Sequence, residues 1–258
     1  MVWDIAPDSK FVAYVQERLR RSQYKPAVEM LSLEHGYRDM LEDFQASAVA
    51  ISPAAKRLAL LGASGQPYSL DVALYVWEIE ADELKLLHKP GLLPLDPGVL
   101  HLGWIDEDTV CTRMDEGDPP NLKTSIVRFD VNVPGSYEVL AQWSPFAVSP
   151  DGRYLAHSPA GKLVIRDLET GAQRVLDDYY LSGEGLSWSG DGKFLCFVDI
   201  RRFPWAFSTN EPWEVVVMRV SDGKRYPVKS WGPRQPAQFR FIDRDALKEL
   251  IPIPLDFE

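Results

Sequence analysis

Apolar residues along this chain alternate with polar ones over short runs, and most runs end at a turn. Within residues 149–176, Asp151-Gly152 precedes Arg153–His157, which alternates with period two. Ala160-Gly161 and Glu169-Thr-Gly171 turn the chain twice more. Period-two alternation is typical of β-strands, and Asp-Gly favours a hairpin turn. The pattern therefore predicts a unit of four short antiparallel strands.

The same unit recurs along the chain. Ser189-Gly-Asp-Gly192 lies 40 residues after Ser149-Pro-Asp-Gly152. Weaker copies have the residue before the turn at Ala6, Ser52, Ile105 and Ile242. Repeats of this period indicate a repeat architecture, because one such sheet cannot bury both apolar faces, whereas sheets stacked around an axis can. We therefore predict an all-β fold, a β-propeller of five complete four-stranded blades plus a C-terminal hairpin.

The blades are predicted to form a single domain. They span about 1–44, 45–95, 96–142, 143–180 and 181–233. Residues 234–258 suffice for one more hairpin, whose place stays open. It extends one sheet of a five-bladed ring, it forms a partial sixth blade, or a partner chain or second copy completes the sheet. Pro252 and Pro254 favour the first two arrangements, since proline blunts an edge strand.

These repeats resemble the blades of WD40 and TolB-like propellers. The resemblance rests on the SPDG turn, the apolar second strand and the aliphatic third strand that ends in an acidic residue. It covers almost the whole chain and is strongest in two blades. Third strands end in Trp77-Glu78, Phe129-Asp130 and Arg166-Asp167 where WD40 blades have Trp-Asp, and the Gly-His pair of that family is absent. The resemblance implies the architecture without fixing the subfamily.

The charge of the chain narrows the classes of partner. With 28 Lys+Arg against 38 Asp+Glu, the net charge of −10 repels phosphate groups. We therefore expect neither nucleic acid nor membrane as a partner, and a basic protein or peptide would suit this acidic surface. The chain has no run of 18 apolar residues, and MVWDIAPDSK lacks the features of a secretory signal. We accordingly expect a cytoplasmic protein.

Long insertions are predicted on one face, where second-to-third-strand loops and blade-joining segments emerge. The predicted loops are 17–25, 62–71, 114–123 and 200–212, and residues 16–22 are expected to form a charged loop or one helical turn. Loops often carry function, and aromatic and arginine side chains dominate interfaces. The candidate partner-binding residues are Arg20, Tyr24, Tyr179, Tyr180, Arg201, Arg202, Phe203, Trp205, Phe207, Trp231 and Arg234.

The segment Arg201–Phe207 is the richest of these loops, and it has two interpretations. In the first, Trp205 and Phe207 insert into a partner or cap the central channel while Arg201 and Arg202 meet carboxylates. In the second, the aromatic rings fold back over the propeller itself.

The sequence offers little for catalysis or cofactor binding. His35, His88, His101 and His157 form no pair at metal-ligand spacing, and no G-x-S-x-G motif occurs. The two cysteines lie in apolar runs, where burial in the core is expected: Cys111 and Cys196. We expect no cofactor, and a non-catalytic scaffold or inhibitory or regulatory partner.

An alternative function remains from the acidic loop. Asp115, Glu116 and Asp118, with Glu184, are the candidate ligands of a carboxylate or Ca²⁺ site at the channel mouth of an enzyme or ligand-binding propeller. They lack the ligand spacing of a dedicated calcium loop, so a solvated loop is favoured.

Overall fold

Twenty β-strands form five antiparallel sheets of four strands each in the described part of the chain. The computed structural model describes residues 3–6, 8, 10–20, 23–36, 38–64, 72–88, 102–116, 123–142, 145–159, 162–177, 186–199 and 213–231. Within each sheet the strands are hydrogen-bonded in chain order. The hairpin predicted at residues 234–258 lies outside the described residues.

The strand bounds follow the repeats. The first sheet contains β1 (Trp3–Ile5), β2 (Phe11–Arg20), β3 (Gln23–Ser32) and β4 (Arg38–Glu42). The second contains β5 (Phe44–Ile51), β6 (Arg57–Ser64), β7 (Ala73–Glu78) and β8 (Glu83–His88). The third contains β9 (Leu102–Trp104), β10 (Thr109–Glu116), β11 (Lys123–Asp130) and β12 (Glu138–Gln142). The fourth contains β13 (Phe146–Val148), β14 (Tyr154–His157), β15 (Leu163–Asp167) and β16 (Gln173–Asp177). The fifth contains β17 (Ser187–Trp188), β18 (Phe194–Asp199), β19 (Trp213–Arg219) and β20 (Arg225–Trp231).

The five sheets are the blades of a β-propeller, which confirms the predicted fold class. The first strands β1, β5, β9, β13 and β17 contact one another in succession and are therefore the inner strands. The fourth strands lie at the outer rim, where Glu138, Val139 and Val175 are exposed. Each blade thus runs from the axis to the rim in chain order.

The hydrophobic core lies between the blades. Four clusters of buried side chains fill the four junctions between successive blades, and each cluster takes residues from both neighbours. Trp77, Phe129 and Phe197 are among the largest fully buried side chains. Burying one such side chain contributes roughly 1.5–3 kcal/mol. The junctions are therefore the main source of stability for the described blades.

Four of the outer strands share one irregularity, a β-bulge. The register shifts opposite β7, β11, β15 and β19 leave one extra residue on each outer strand. These bulge residues are Leu87, Leu140, Leu176 and Val228. The three leucines pack in the cluster shared with the following blade. A bulge changes the direction of a side chain. Here it directs the side chain of a leucine on an outer strand into the core between its own blade and the following blade.

One predicted element is wrong. Residues 16–22 were expected to form a charged loop or a helical turn, but residues 16–20 continue β2 and pair with β3. The second sheet begins at Phe44, one residue before the predicted start of the second blade. None of the described residues belongs to a helix long and apolar enough to cross a membrane.

Candidate functional site

The propeller has two faces that differ in their connections. On one, called the turn face here, tight turns join first to second strands and third to fourth strands, as at 149–153 and 168–172. On the other, called the loop face, second-to-third-strand connections and blade-joining segments emerge. The predicted partner-binding residues that the structure describes, Arg20, Tyr24 and Trp231, lie at the loop-face ends of their blades.

The first blade projects a two-stranded ribbon from the loop face. Beyond the last pairing of β4, at Glu42, residues 17–20 pair only with residues 23–26. The ribbon contains Arg20, paired with Gln23, and Tyr24, paired with Leu19. The predicted loop at 17–25 is thus wrong for residues 17–20 and 23–25, which are strand. Arg20 and Tyr24 lie on facing strands of this ribbon, at adjacent rungs.

The third blade has a shorter ribbon of the same kind. Asp115 pairs with Thr124 and Glu116 pairs with Lys123, so the predicted loop at 114–123 is strand at both ends. Asp118 lies outside the described residues, as does Glu184. Likewise, 62–64 belong to β6 rather than to the predicted loop at 62–71. Across the described ranges, no group of three or more His, Cys, Asp or Glu side chains could hold a metal ion.

The fifth blade supplies the remaining described candidate. Trp231 ends β20 and pairs with Trp213, the first residue of β19. The segment 200–212 leaves the blade between Asp199 and Trp213, at the same end of the sheet. Trp231, Trp213 and Asp199 therefore all lie at the loop-face end of the fifth blade. Tyr179, Tyr180, Arg201, Arg202, Phe203, Trp205, Phe207 and Arg234 lie outside the described residues.

The turn face is rigidly built from repeated polar turns. Ser149 Oγ accepts a hydrogen bond from Tyr154 N (2.8 Å) and donates one to Asp151 Oδ1 (2.5 Å). Ser189 makes the same bonds with Phe194 N (2.9 Å) and Asp191 (2.7 Å). Hydrogen bonds from Ser189 and Lys193 lower the pKa of Asp191 to about 2. The SPDG and SGDG motifs are therefore structural, since their polar groups serve the turns themselves.

Two tryptophans form hydrogen bonds between successive blades near the axis. Trp104 Nε1 donates to Ala50 O of the preceding blade at 2.9 Å, and Trp188 Nε1 donates to Ala147 O at 3.0 Å. Both tryptophans directly precede the turn that joins the first and second strands. Buried indole N–H groups usually find such a partner, and here the partner fixes one blade against the next. Sequence analysis missed this role, although the equivalent position of Trp104 and Trp188 in the repeat was a visible signal.

Arg57 links the second and third blades on the turn face. Its guanidinium bonds Glu78 Oε2 (2.8 Å) within the blade, and Asp108 Oδ1 (2.9 Å) and Glu107 O (2.6 Å) across the junction. The bonds to Glu78 and Asp108 raise the pKa of Arg57. The hydrogen bonds from Arg57 and Asn132 lower the pKa of Asp108. The acidic residues of this sector therefore serve an internal ion-pair network.

The bulges provide a further link at the rim. Leu87 O, on the bulge of β8, accepts a hydrogen bond from Gly135 N of the third blade at 2.9 Å. Leu140 O, on the bulge of β12, accepts one from Arg166 Nη1 of the fourth blade. A bulge leaves ladder groups unpaired, and here the next blade satisfies them. Adjacent apolar residues in these short strands, as in KLLH and EVLAQ, were the only sequence signal.

The thiols and the buried imidazole are unsuited to nucleophilic or base chemistry. Burial raises the pKa of Cys111, and raises that of Cys196 to about 11. Burial first, and Arg166 second, lower the pKa of His157 to about 4. A working nucleophile or base needs a pKa near the operating pH. The two cysteines and His157 therefore serve as packing residues. Burial of the two cysteines in the core is as predicted.

Solved structures with a similar fold were found by structural comparison. TolB from Acinetobacter baumannii superposes with a TM-score of 0.62 at 18% identity, covering 90% of this chain and 55% of that chain. A putative TolB from Agrobacterium tumefaciens gives 0.61 at 16% identity, covering 90% and 80%. The fold is that of a TolB-like β-propeller. The propeller of the Trilobed protease from Pyrococcus furiosus, which has an open velcro topology, gives 0.55 at 14% identity, covering 85% and 67%.

The comparisons support the fold and leave the function to be inferred. The chain spans about half the length of the Acinetobacter structure, 55% of it. No protein-family model and no curated protein sequence matches it. At these levels of identity the likeness concerns architecture alone, because one fold carries many functions.

Proposed function

We propose that this propeller is a non-catalytic binding protein that holds another protein or peptide on its loop face. The observation that carries the proposal is the contrast between the two faces. Turn-face groups such as Ser149, Asp167 and Ser189 are engaged in their own turns. The loop face projects ribbons beyond the sheets. A rigid scaffold with projecting segments is the usual basis of loop-mediated recognition.

A basic partner is the best match for this surface. The chain carries a net charge of −10, and complementary charge speeds association and excludes acidic competitors. Its scaffolding role would be inhibitory or regulatory, since a rigid binding face can hold an enzyme in check. Aromatic and arginine side chains of the candidate set would supply the central contacts.

Affinity capture with matched variants tests the proposal. The tagged wild-type protein is compared with Trp205→Ala/Arg201→Ala, with Arg20→Ala/Tyr24→Ala, and with the turn-face control Glu169→Ala. We expect both loop-face variants to recover at least tenfold less of the same partner, because each truncates anchors that cost about 1–2 kcal/mol or more apiece. The control should recover as much as wild type. Equal recovery by all four proteins would contradict the loop-face assignment.

A thermal-shift series separates the alternative Ca²⁺ or carboxylate-site function. Asp115 and Glu116 end β10 on the loop face, where a channel-mouth site would lie. If the binding proposal is right, millimolar Ca²⁺ changes neither the Tm of the wild type nor the Tm of Asp115→Asn/Glu116→Gln. A rise in Tm confined to wild type would favour the ligand-binding alternative.

A further inference from the structure

The outer strands of the blades differ in how well their edges are protected from pairing with another chain. Each of the five is the last strand of its sheet, so half of its backbone groups point away from the sheet. Proteins commonly guard such edges with charged side chains, above all Lys, with Pro and with β-bulges. In sequence, β4, β8, β16 and β20 each contain Lys, Arg or Pro. β12, with the sequence EVLAQ, contains none of these; its one charged residue is Glu138, and its bulge at Leu140 lies after Glu138 and Val139.

β12 and the segment before it also expose apolar side chains. Val139 is 53% exposed, Val133 is 50% exposed and Tyr137 is 39% exposed. Glu138, the charged residue of β12, is engaged within its own sheet, where Arg128 Nη2 bonds its carboxylate at 2.6 Å. The strand therefore offers backbone groups beside an apolar surface, which is the combination that strand addition uses.

This edge is preorganised by the neighbouring blade. The Tyr137 ring lies 5.9 Å from that of His88 and 5.8 Å from that of Phe129. Gly135 N donates to Leu87 O at 2.9 Å, which ties the preceding turn to β8. A preorganised edge loses little conformational freedom when a peptide binds. The bulge at Leu140 interrupts the regular pairing of β12, so the regular stretch before it is Glu138 and Val139, which Tyr137 directly precedes.

Charge decides which occupant fits the edge. Residues 130–142 contain Asp130 and Glu138 and no Lys or Arg. Of the cations that contact this segment, Arg128 of β11 is paired with Glu138, and Arg166 of the fourth blade donates to a backbone carbonyl of β12. A second copy of the chain would bring the same acidic segment and another net charge of −10. Like charges across an interface are unfavourable, whereas a cationic peptide is attracted. We propose that the edge of β12 binds an extended basic peptide with alternating apolar residues, which adds as a fifth strand to the third blade.

A matched pair of variants tests this rim site, which is separate from the loop face. The probe is a fluorescent nine-residue peptide of alternating valine and lysine, measured by anisotropy in 0.15 M salt. Val139→Lys places a cation on the edge without touching the core. Val175→Lys is the control, because Val175 is 57% exposed and occupies the equivalent position opposite Val164 in the fourth blade. We expect Val139→Lys to weaken binding at least tenfold and Val175→Lys to change it less than twofold.

A second peptide distinguishes strand pairing from simple charge attraction. N-methylation of every backbone amide removes the ladder donors of both edges of the peptide while keeping the charge, and it should abolish binding to the wild-type protein. The proposal is overturned if the methylated peptide binds as well as the parent, or if the two lysine variants behave alike. It is also overturned if light scattering shows wild-type dimers that Val139→Lys dissociates, since a second copy would then occupy the edge.

Discussion

Gly152 stands where two blades touch on the turn face. Its φ of +71° lies in the left-handed region that side chains disfavour, and a Cβ there would approach Ile105 O of the third blade to 1.7 Å. Gly192 has the same position in the fifth blade and a φ of +67°, but a Cβ there would meet nothing within 4 Å. Alanine at Gly192 therefore tests backbone strain alone, whereas alanine at Gly152 tests backbone strain together with steric overlap between blades.

We predict that Gly152→Ala lowers the free energy of unfolding much more than Gly192→Ala does. The Gly192 variant should lose about 1 kcal/mol from the left-handed backbone alone. The Gly152 variant should lose about 3 kcal/mol, since the junction must also open. Urea denaturation followed by tryptophan fluorescence measures both. Equal losses would mean that Gly152 serves only its own turn.

His157 makes stability depend on pH. The side chain is 3% exposed, and its pKa of about 4 in the folded protein lies below the ordinary value of 6.5. Between these values the unfolded chain binds more protons than the folded protein, so the stability contributed by neutral His157 is lost as the pH falls from about 6.5 to 4.

We predict a loss of up to about 3 kcal/mol over this window that His157→Gln lacks. The measurement is the difference between wild-type and variant unfolding free energies at pH 7 and at pH 4.5, which cancels carboxylate effects common to both proteins. A pH-independent difference would contradict the prediction, because it would show that the pKa of His157 is the same in the folded and the unfolded protein.

At the scale of elements, the bulge in β12 breaks the alternation of exposed and buried residues. Glu138 and Val139 (53% exposed) are both exposed, Leu140 is 5% exposed and packs against the fourth blade, and Gln142 is exposed again. Strict alternation would instead place Glu138, Leu140 and Gln142 on the same face. The pattern of apolar residues predicted the outer strands, but it could not predict the bulge, because the register depends on contacts with another blade.

We predict that Leu140→Ala destabilises the protein by about 2–4 kcal/mol and that Val139→Ala changes stability by less than about 0.5 kcal/mol. Thermal or urea unfolding of the two variants gives the comparison. Similar losses in both would indicate that the rim valine is covered in solution.

For the whole molecule, the sequence predicted the architecture well because each repeat has its own turn signals. Asp151-Gly152 and Asp191-Gly192 mark hairpins, and these local signals need no knowledge of distant contacts. The ribbon at 17–26 was mistaken for a loop, because its charged sequence resembles a solvated segment. The repeated position of Trp104 was visible in the sequence, but the bonding partners of Trp104 and Arg57 were not, since each link joins residues from different blades. The candidate loop-face contacts remain predictions.

The junctions also define a unit that evolution could copy. The third blade donates to its predecessor through Trp104 and Gly135, and offers Leu140 O to its successor. A duplicated blade would therefore carry the hydrogen-bond donors for one neighbouring blade and the acceptor for the other.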